Sequence, residues 1–572
     1  MTGKASEESN FSWIRGVNIA GWLLAERMVT PYLFSLNSCQ LKGDWCFYPD
    51  QLSAPATHHK YCDLYYCQPH LIDVNPLERN ADQDYPIDEK SLLGSFSEKS
   101  LAKEYMTFHW DNFITKDDVQ FLAEEAGVEY VKVPIPYYAM TDILDNEPWV
   151  NGQWMYFIRF VGWARQHGIQ VWIDMHTTFG TQSSFEYSGE SLPDSPTCKH
   201  WIDDPVKVAR SIKAIKDMAQ AVMDDNLRDV VTGFGILNEP FSDCPVEQIK
   251  KYSNEALKTV REIMGYDTAV YMSDSFNAAT WNDGWWTDPS LHDNTYIDSH
   301  YYHVFSERER SLSPKQHIAY TCAELARETA SCCYENHPKN TKVSSGVSRI
   351  VGEWSAGYDV LPSAMTNEIM RSIRNPETKT LLMDRTLKSE MQDFLANHVK
   401  AQMVSYESAN TGASSGWFFW NLKMEGGAFA EWDFLRGIRE GWIPKMPSNQ
   451  TDSMSVFGSC DKIVAKTSDD MSIVTAFPDP NKIDTRLGPA LDDDLVLSHG
   501  QTNKNGIFGG TRAKSSSNNV QENGKSKKSH WFHFFAFCFF AYGIWTVFLK
   551  NEYGFGRRRF DYNSLHQTSM RI

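Results

Sequence analysis

The chain has 572 residues, 42% of them hydrophobic, with 55 basic against 73 acidic side chains and a formal charge of -18. That is ample material for a large core, and it supplies no clustered basic surface of the kind phosphate backbones need, so nucleic acid is excluded as a partner. Aromatic residues reach 13%, with 19 Trp, and flat rings suit cores and sugar faces alike.

Residues 1–10 read as a tail without the apolar stretch of a secretory signal. From residue 11 to 445, short β-rich runs alternate with longer helical stretches. The strands are expected at Gly16–Ile19, Tyr130–Val133, Val171–Asp174, Gly233–Leu237, Ala269–Met272, Tyr296–Asp298, Ile350–Gly352 and Gly416–Phe419. Helices are expected at Thr115–Ala126, Trp154–His167, Pro205–Met223 and Val246–Met264, among others. Strands alternating with helices predict parallel pairing, and eight such units predict a (β/α)8 TIM barrel. A doubly wound open sheet is the alternative, but no Gly-rich dinucleotide or phosphate-loop fingerprint accompanies it.

Within this body, residues 37–84 hold Cys39, Cys46, Cys62 and Cys67 close to His58 and His59. Their spacings match no standard zinc finger, so paired or free cysteines are expected rather than a metal site. After the body, residues 446–529 lose aromatics and gather Ser, Asn, Asp, Gly and Lys, the composition of a flexible linker. Trp531–Leu549 then runs uncharged for 19 residues between basic flanks, followed by a basic tail at 550–572. As a helix it would span roughly 28 Å, which predicts a single transmembrane segment.

In a parallel barrel the C-terminal strand ends build the active site. There the sequence places Asp174-Met175-His176, Asn238-Glu239-Pro240, Asp298 to Tyr302, Glu353-Trp354 and Trp420. Glu239 and Glu353 each follow an apolar strand directly, and two carboxyls converging on one mouth suit glycoside hydrolysis. Each residue alone would more often be a cap, an ion-pair partner or a satisfied structural histidine. The joint pattern favours catalysis.

The segments RGVNIAGWL through Glu26 and Thr30-Pro31, then HWDNFITKDDV, VWIDMHTTFGTQSSFEYSG, GFGILNEP, IDSHYYHVF, VGEWSAGYD and GWFFWNLKMEGGAFAEWDF occur in that order. Together they resemble fungal-type exo-β-1,3-glucanases of glycoside hydrolase family 5. The resemblance implies a retaining TIM-barrel enzyme with Glu239 as acid/base and Glu353 as nucleophile. It implies that Asn238 holds the sugar 2-hydroxyl, that Tyr302 stands beside the nucleophile, and that His176 and His300 line the innermost subsite. It further implies Glu26 as a ligand of terminal-sugar hydroxyls, Trp420 as the floor, and Phe185 with Phe305 at the entrance. The chemistry needs the two carboxyls roughly 5 Å apart, with Glu353 ionised and Glu239 protonated at rest, and it requires neither metal nor cofactor.

This chain departs from the family in having Lys132 where Arg is usual, and Glu186-Tyr187 where Asp-Asn is usual. Lys keeps the charge without the bidentate fork. The expected activity is release of glucose from the non-reducing end of β-1,3-glucan by a monomer anchored to a membrane through its C-terminal helix. The catalytic body is expected on the extracytoplasmic or lumenal side. A glucosidase for a membrane-borne steryl glucoside or glucosylceramide, and a non-catalytic glucan-binding barrel, are the alternatives.

Overall fold

The computed structural model describes residues 12–34, 39–41, 65–67, 86–96, 98–192, 196–277, 281, 293–305, 309, 312–331, 347–358, 387–407, 415–427 and 429–470. Eight strands form a closed barrel: β1 (Ile14–Asn18), β2 (Tyr130–Ile135), β3 (Gln170–Met175), β4 (Val231–Gly235), β5 (Ala269–Ser273), β6 (Thr295–Tyr301), β7 (Val347–Trp354) and β8 (Gly416–Phe419). Each pairs in parallel with its neighbours in sequence, and β1 closes the ring by pairing with both β2 and β8. All eight strands expected from sequence are present. Only β8 keeps the expected limits; β6 and β7 run longer at both ends because neighbouring strands extend the ladder beyond local propensity.

Parallel strands are covered on both faces, so they read as apolar runs. All five residues of β5 are buried, as are five of the six in β3. Inside the barrel Ile14, Trp172, Ala269, Tyr271, Ile350 and Phe418 form their own cluster. Two glycines admit these rings: a Cβ at Gly233 would lie 2.3 Å from Trp172, and one at Gly16 would lie 2.3 Å from Phe418.

The principal helices are α1 (Lys99–Asn112), α2 (Gln153–His167), α3 (Pro205–Asp224), α4 (Val246–Met264), α5 (Pro314–Ser331), α6 (Ser389–Tyr406) and α7 (Cys460–Lys466). Their limits follow local chemistry. Asp204 caps α3 by accepting from Val206 and Lys207, with Pro205 opening the first turn, and Gly168 ends α2 in the left-handed conformation. Helix α4 buries Ile249, Tyr252, Ala256, Leu257, Val260 and Met264, one stripe at helical spacing. The expected helix Thr115–Ala126 is an α-turn, Lys116–Phe121, that widens to a π-turn over Leu122–Ala126 before the left-handed Gly127.

The packed body does not stop at residue 445. Arg15 forms a buried bidentate pair with Glu407 at 2.7 and 2.8 Å and also donates to the carbonyls of Pro447, Ser448 and Thr451. Glu407 accepts from Ser453 N at 2.7 Å, and a disulfide joins Cys322 of α5 to Cys460 of α7. Buried charge and a covalent bond thus hold a stretch whose composition alone reads as linker. A second disulfide, Cys198–Cys244, joins the loops after β3 and β4. In the 37–84 segment Cys39–Leu41 and Tyr65–Cys67 form an antiparallel pair with Cys39 opposite Cys67. Among the described residues no helix is long and apolar enough to cross a membrane; the expected span Trp531–Leu549 lies outside them, as does most of the 446–529 segment.

Candidate active site

Because all strands are parallel, the residues at their C-terminal ends face one mouth. His300 lies within β6 and its backbone partner across the ladder is Glu353 of β7. Asn238 and Glu239 follow β4, and the Asn238 amide donates to Met175 O at 3.0 Å. Gln182 fixes this corner by donating to both His176 O (2.8 Å) and Asn238 O (3.0 Å). Glu239 itself holds φ at +40°, a left-handed backbone that costs a non-glycine residue of order 1–3 kcal/mol and persists only where the surroundings impose it.

The side chains meet in one network. His300 Nδ1 lies 2.5 Å from Glu239 Oε1 and 3.4 Å from Glu353 Oε2. Tyr302 donates its hydroxyl to Glu353 Oε2 at 2.9 Å, and Lys132 Nζ approaches Glu353 Oε1 at 3.4 Å and Asp298 Oδ2 at 3.6 Å. His176 Nδ1 is 2.6 Å from Asp174 Oδ2, and Asn238 Nδ2 is 3.2 Å from His176 Nε2. An oxygen of Glu239, an oxygen of Glu353 and a nitrogen of His300 all lie within 4.8 Å of one another. Carboxyls this close have the spacing associated with retention and fall short of the wider separation of an inverting pair.

Burial opposes every charge here, and the neighbours decide. Lys132 is held protonated against burial by Asp298, Glu353 and Asp174; His300 is likewise held protonated by Glu353, Asp298 and Glu239. Burial would raise Glu239, but His300 overrides it and holds that carboxyl below its usual range. Glu353 stays above its usual range because burial outweighs the more distant His300 and Lys132. His300 Nδ1 lies 2.5 Å from Glu239 and 3.4 Å from Glu353, so it pulls the Glu239 carboxyl down more strongly.

Around this network the remaining expected residues form walls. Glu26 is 1% exposed; its Oε1 accepts from Gly21 N at 3.0 Å, while its Oε2 has no hydrogen-bond partner among the described residues. Burial pushes its carboxyl up to about 8, with His176 opposing. Trp420 stacks on His176 with centroids 5.7 Å apart, and its Nε1, like Asn238 Oδ1, is buried without a partner among the described residues. Glu26 Oε2, Asn238 Oδ1 and Trp420 Nε1 are therefore polar atoms that a ligand's hydroxyls can satisfy. Phe185 packs with Tyr187 (5.6 Å) and Phe241 (5.8 Å), and Phe305 packs on Tyr302 (5.4 Å), so each entrance ring belongs to its own aromatic group.

Two trios, Asp174/His176/Glu353 and Glu239/His300/Glu353, have donor atoms close enough for a cation. The same side chains also contact Asn238, Asp298, Tyr302 and Lys132. Gln182, Phe241 and Trp432, which stacks on Tyr302 at 5.2 Å, were not legible as site residues. Gln182 and Phe241 lie on loops after β3 and β4, where no local pattern marks them.

The profile of the cellulases, glycosyl hydrolase family 5, matches residues 95–383. A glucan 1,3-beta-glucosidase of Yarrowia lipolytica is 28% identical over 443 residues, covering 75% of this chain and 88% of that one. Glucan 1,3-beta-glucosidase 2 of Wickerhamomyces anomalus is 29% identical, covering 78% and 90%. Among solved structures, the rutinosidase from Aspergillus niger superposes with a TM-score of 0.50 at 16% identity over 76% of this chain and 98% of that one, a likeness of fold. With a closed parallel barrel and a buried carboxyl pair at the ends of its fourth and seventh strands, this chain belongs to glycoside hydrolase family 5 and is a glycoside hydrolase.

Proposed function

We propose that the protein is a retaining β-glucosidase that hydrolyses β-1,3-glucan from the non-reducing end. The observation that carries the mechanism is the approach of Glu239 and Glu353 oxygens to within 4.8 Å of each other; the relatives named glucan 1,3-beta-glucosidase support the substrate. In the first step Glu353 attacks the anomeric carbon while Glu239 protonates the leaving oxygen. In the second, Glu239 takes a proton from water, which displaces Glu353 from the sugar. Tyr302 and Lys132 stabilise the ionised Glu353 that attack requires. For Glu239 to act as an acid it must take up a proton, and a glycosidic oxygen entering between Glu239 and His300 would relieve the contact that holds it ionised. Asn238 Oδ1 would accept from the 2-hydroxyl, Glu26 would bind hydroxyls of the terminal sugar, and Trp420 would present its face to the ring.

Incubating the protein with laminarin and following products by NMR tests this. Glucose appearing first as the β-anomer supports the proposal; the α-anomer, or turnover of glucosylated lipids alone, overturns it.

The same reading places the body in an extracytoplasmic or lumenal compartment, as a monomer tethered by Trp531–Leu549. The two disulfides support an oxidising compartment, where such bonds persist. Protease protection of intact membranes checks it.

A further inference from the structure

The short helix Glu89–Leu93 is the first described element after the long segment at 68–85, and its N-terminal residues reach in two directions. Toward the loop after β1, Glu89 Oε2 accepts from Ala25 N at 2.6 Å; Glu89 is 0% exposed, and burial pushes its carboxyl up to about 7. Ala25 precedes Glu26, whose own carboxyl is fixed from the other side by Gly21 N. Toward the loop after β3, Asp88 divides its oxygens: Oδ1 caps the helix at Ser91 N (2.7 Å) and Oδ2 accepts from Ser191 N (2.5 Å). Lys90 N donates to Gly189 O at 3.0 Å, and its ammonium pairs with Glu190. Gly189, at φ +77°, ends the tight turn that carries Glu186 and Tyr187. Three consecutive residues therefore hold both the loop that carries Glu26 and the turn that carries Glu186 and Tyr187.

We propose that Asp88, Glu89 and Lys90 are a clasp that sets the geometry of the terminal-sugar site, Glu89 positioning Glu26 and Asp88 with Lys90 positioning the turn of Glu186 and Tyr187. The inference deepens the glucosidase reading and rests on it for the role of Glu26. A buried carboxyl that accepts a backbone N–H with no cation beside it among the described residues is retained at an energetic disadvantage, which argues that the loop it holds matters more than the local stability it gives up. The clasp residues touch no reacting group, so they act on binding of the sugar and not on bond cleavage.

The test uses the full chain and two measurements: amide hydrogen exchange at Ala25 and Ser191, and kcat and KM for an aryl β-glucoside. In Glu89→Ala, Ala25 exchange should accelerate about tenfold or more and KM should rise about tenfold, with kcat within about twofold. Glu89→Gln keeps a side-chain acceptor and should restore both values. Asp88→Ala should deprotect Ser191 and leave Ala25 protected, which keeps the test decisive if Glu89→Ala does not fold. Unchanged exchange at both loops overturns the clasp, as does a fall in kcat without a rise in KM. A native chain that turns over no β-glucoside would remove the glucosidase reading alone, because the exchange experiment still decides whether these residues hold the loops.

Discussion

Glu239 and Glu353 at the ends of β4 and β7, and Glu26 and Glu186 on the loops after β1 and β3, are carboxyls at one barrel mouth that meet burial in different ways. The first pair stands among Lys132, His300 and His176, and these cations, set at 2.5 to 3.6 Å from carboxylates, decide how each group titrates. The second pair has less compensation: Glu26 is pushed up to about 8 with His176 and the Gly21 N–H opposing burial, and Glu186 to about 7 with Arg27 doing so. The difference separates two tasks. A carboxyl that must exchange charge during a reaction needs a cation whose distance can tune it, whereas one that must bind hydroxyl groups works as well protonated, donating and accepting at once.

The largest expected effect comes from removing the charge that attacks. Glu353→Gln keeps the shape and one acceptor oxygen but cannot form the glycosyl ester, so kcat/KM for an aryl β-glucoside should fall by roughly 10⁴-fold or more. Glu239→Gln should fall by about 10²- to 10⁴-fold, with azide partly restoring turnover of substrates whose leaving group needs no proton. Equal and small losses in both variants would dissolve the distinction between the two corners, because neither carboxyl would then be doing chemistry.

Lys132 tests the same comparison through its cation. Lys132→Met leaves Glu353 and Asp298 buried without the ammonium that lies 3.4 and 3.6 Å away, and breaking such a pair costs about 3–5 kcal/mol of stability. Since Lys132 lowers the Glu353 carboxyl, its loss should raise that carboxyl further and move the acid limb of kcat/KM to higher pH. A destabilised enzyme with an unmoved acid limb would show that Lys132 is structural only.

How much of this was legible in the sequence depended on the range of the interaction concerned. The barrel was legible because each strand is a local apolar run, and Glu239 and Glu353 because a carboxyl after such a run is out of place locally. Their unequal sharing of His300 was not, since it turns on which carboxyl the imidazole approaches more closely, a matter of tertiary distance. The clasp was hidden for the same reason: Glu89 and Asp88 reach partners 64 and 103 positions away. The packing of residues past 445 was hidden because composition records neither the Arg15–Glu407 pair nor the Cys322–Cys460 bond that holds them.

The last expected effect is on stability alone, and it isolates the less compensated corner. Glu26 has a folded-state pKa near 8 against an ordinary value of 4.5, so between those limits the folded chain keeps a proton that the unfolded chain has shed. Stability therefore falls as pH rises through that window and is level outside it, by on the order of a few kcal/mol in total. Glu89 and Glu186, each pushed to about 7, act with the same sign over a window that closes one unit lower. Gln at position 26 mimics the protonated carboxyl permanently, so Glu26→Gln should match the native protein near pH 4.5 and exceed its stability increasingly toward pH 8. Chemical denaturation at pH 5, 7 and 8.5 reads this directly. Parallel stability curves for the two proteins would mean that Glu26 is ionised in the folded state like the carboxyls across the mouth, and the contrast between the two corners would be lost.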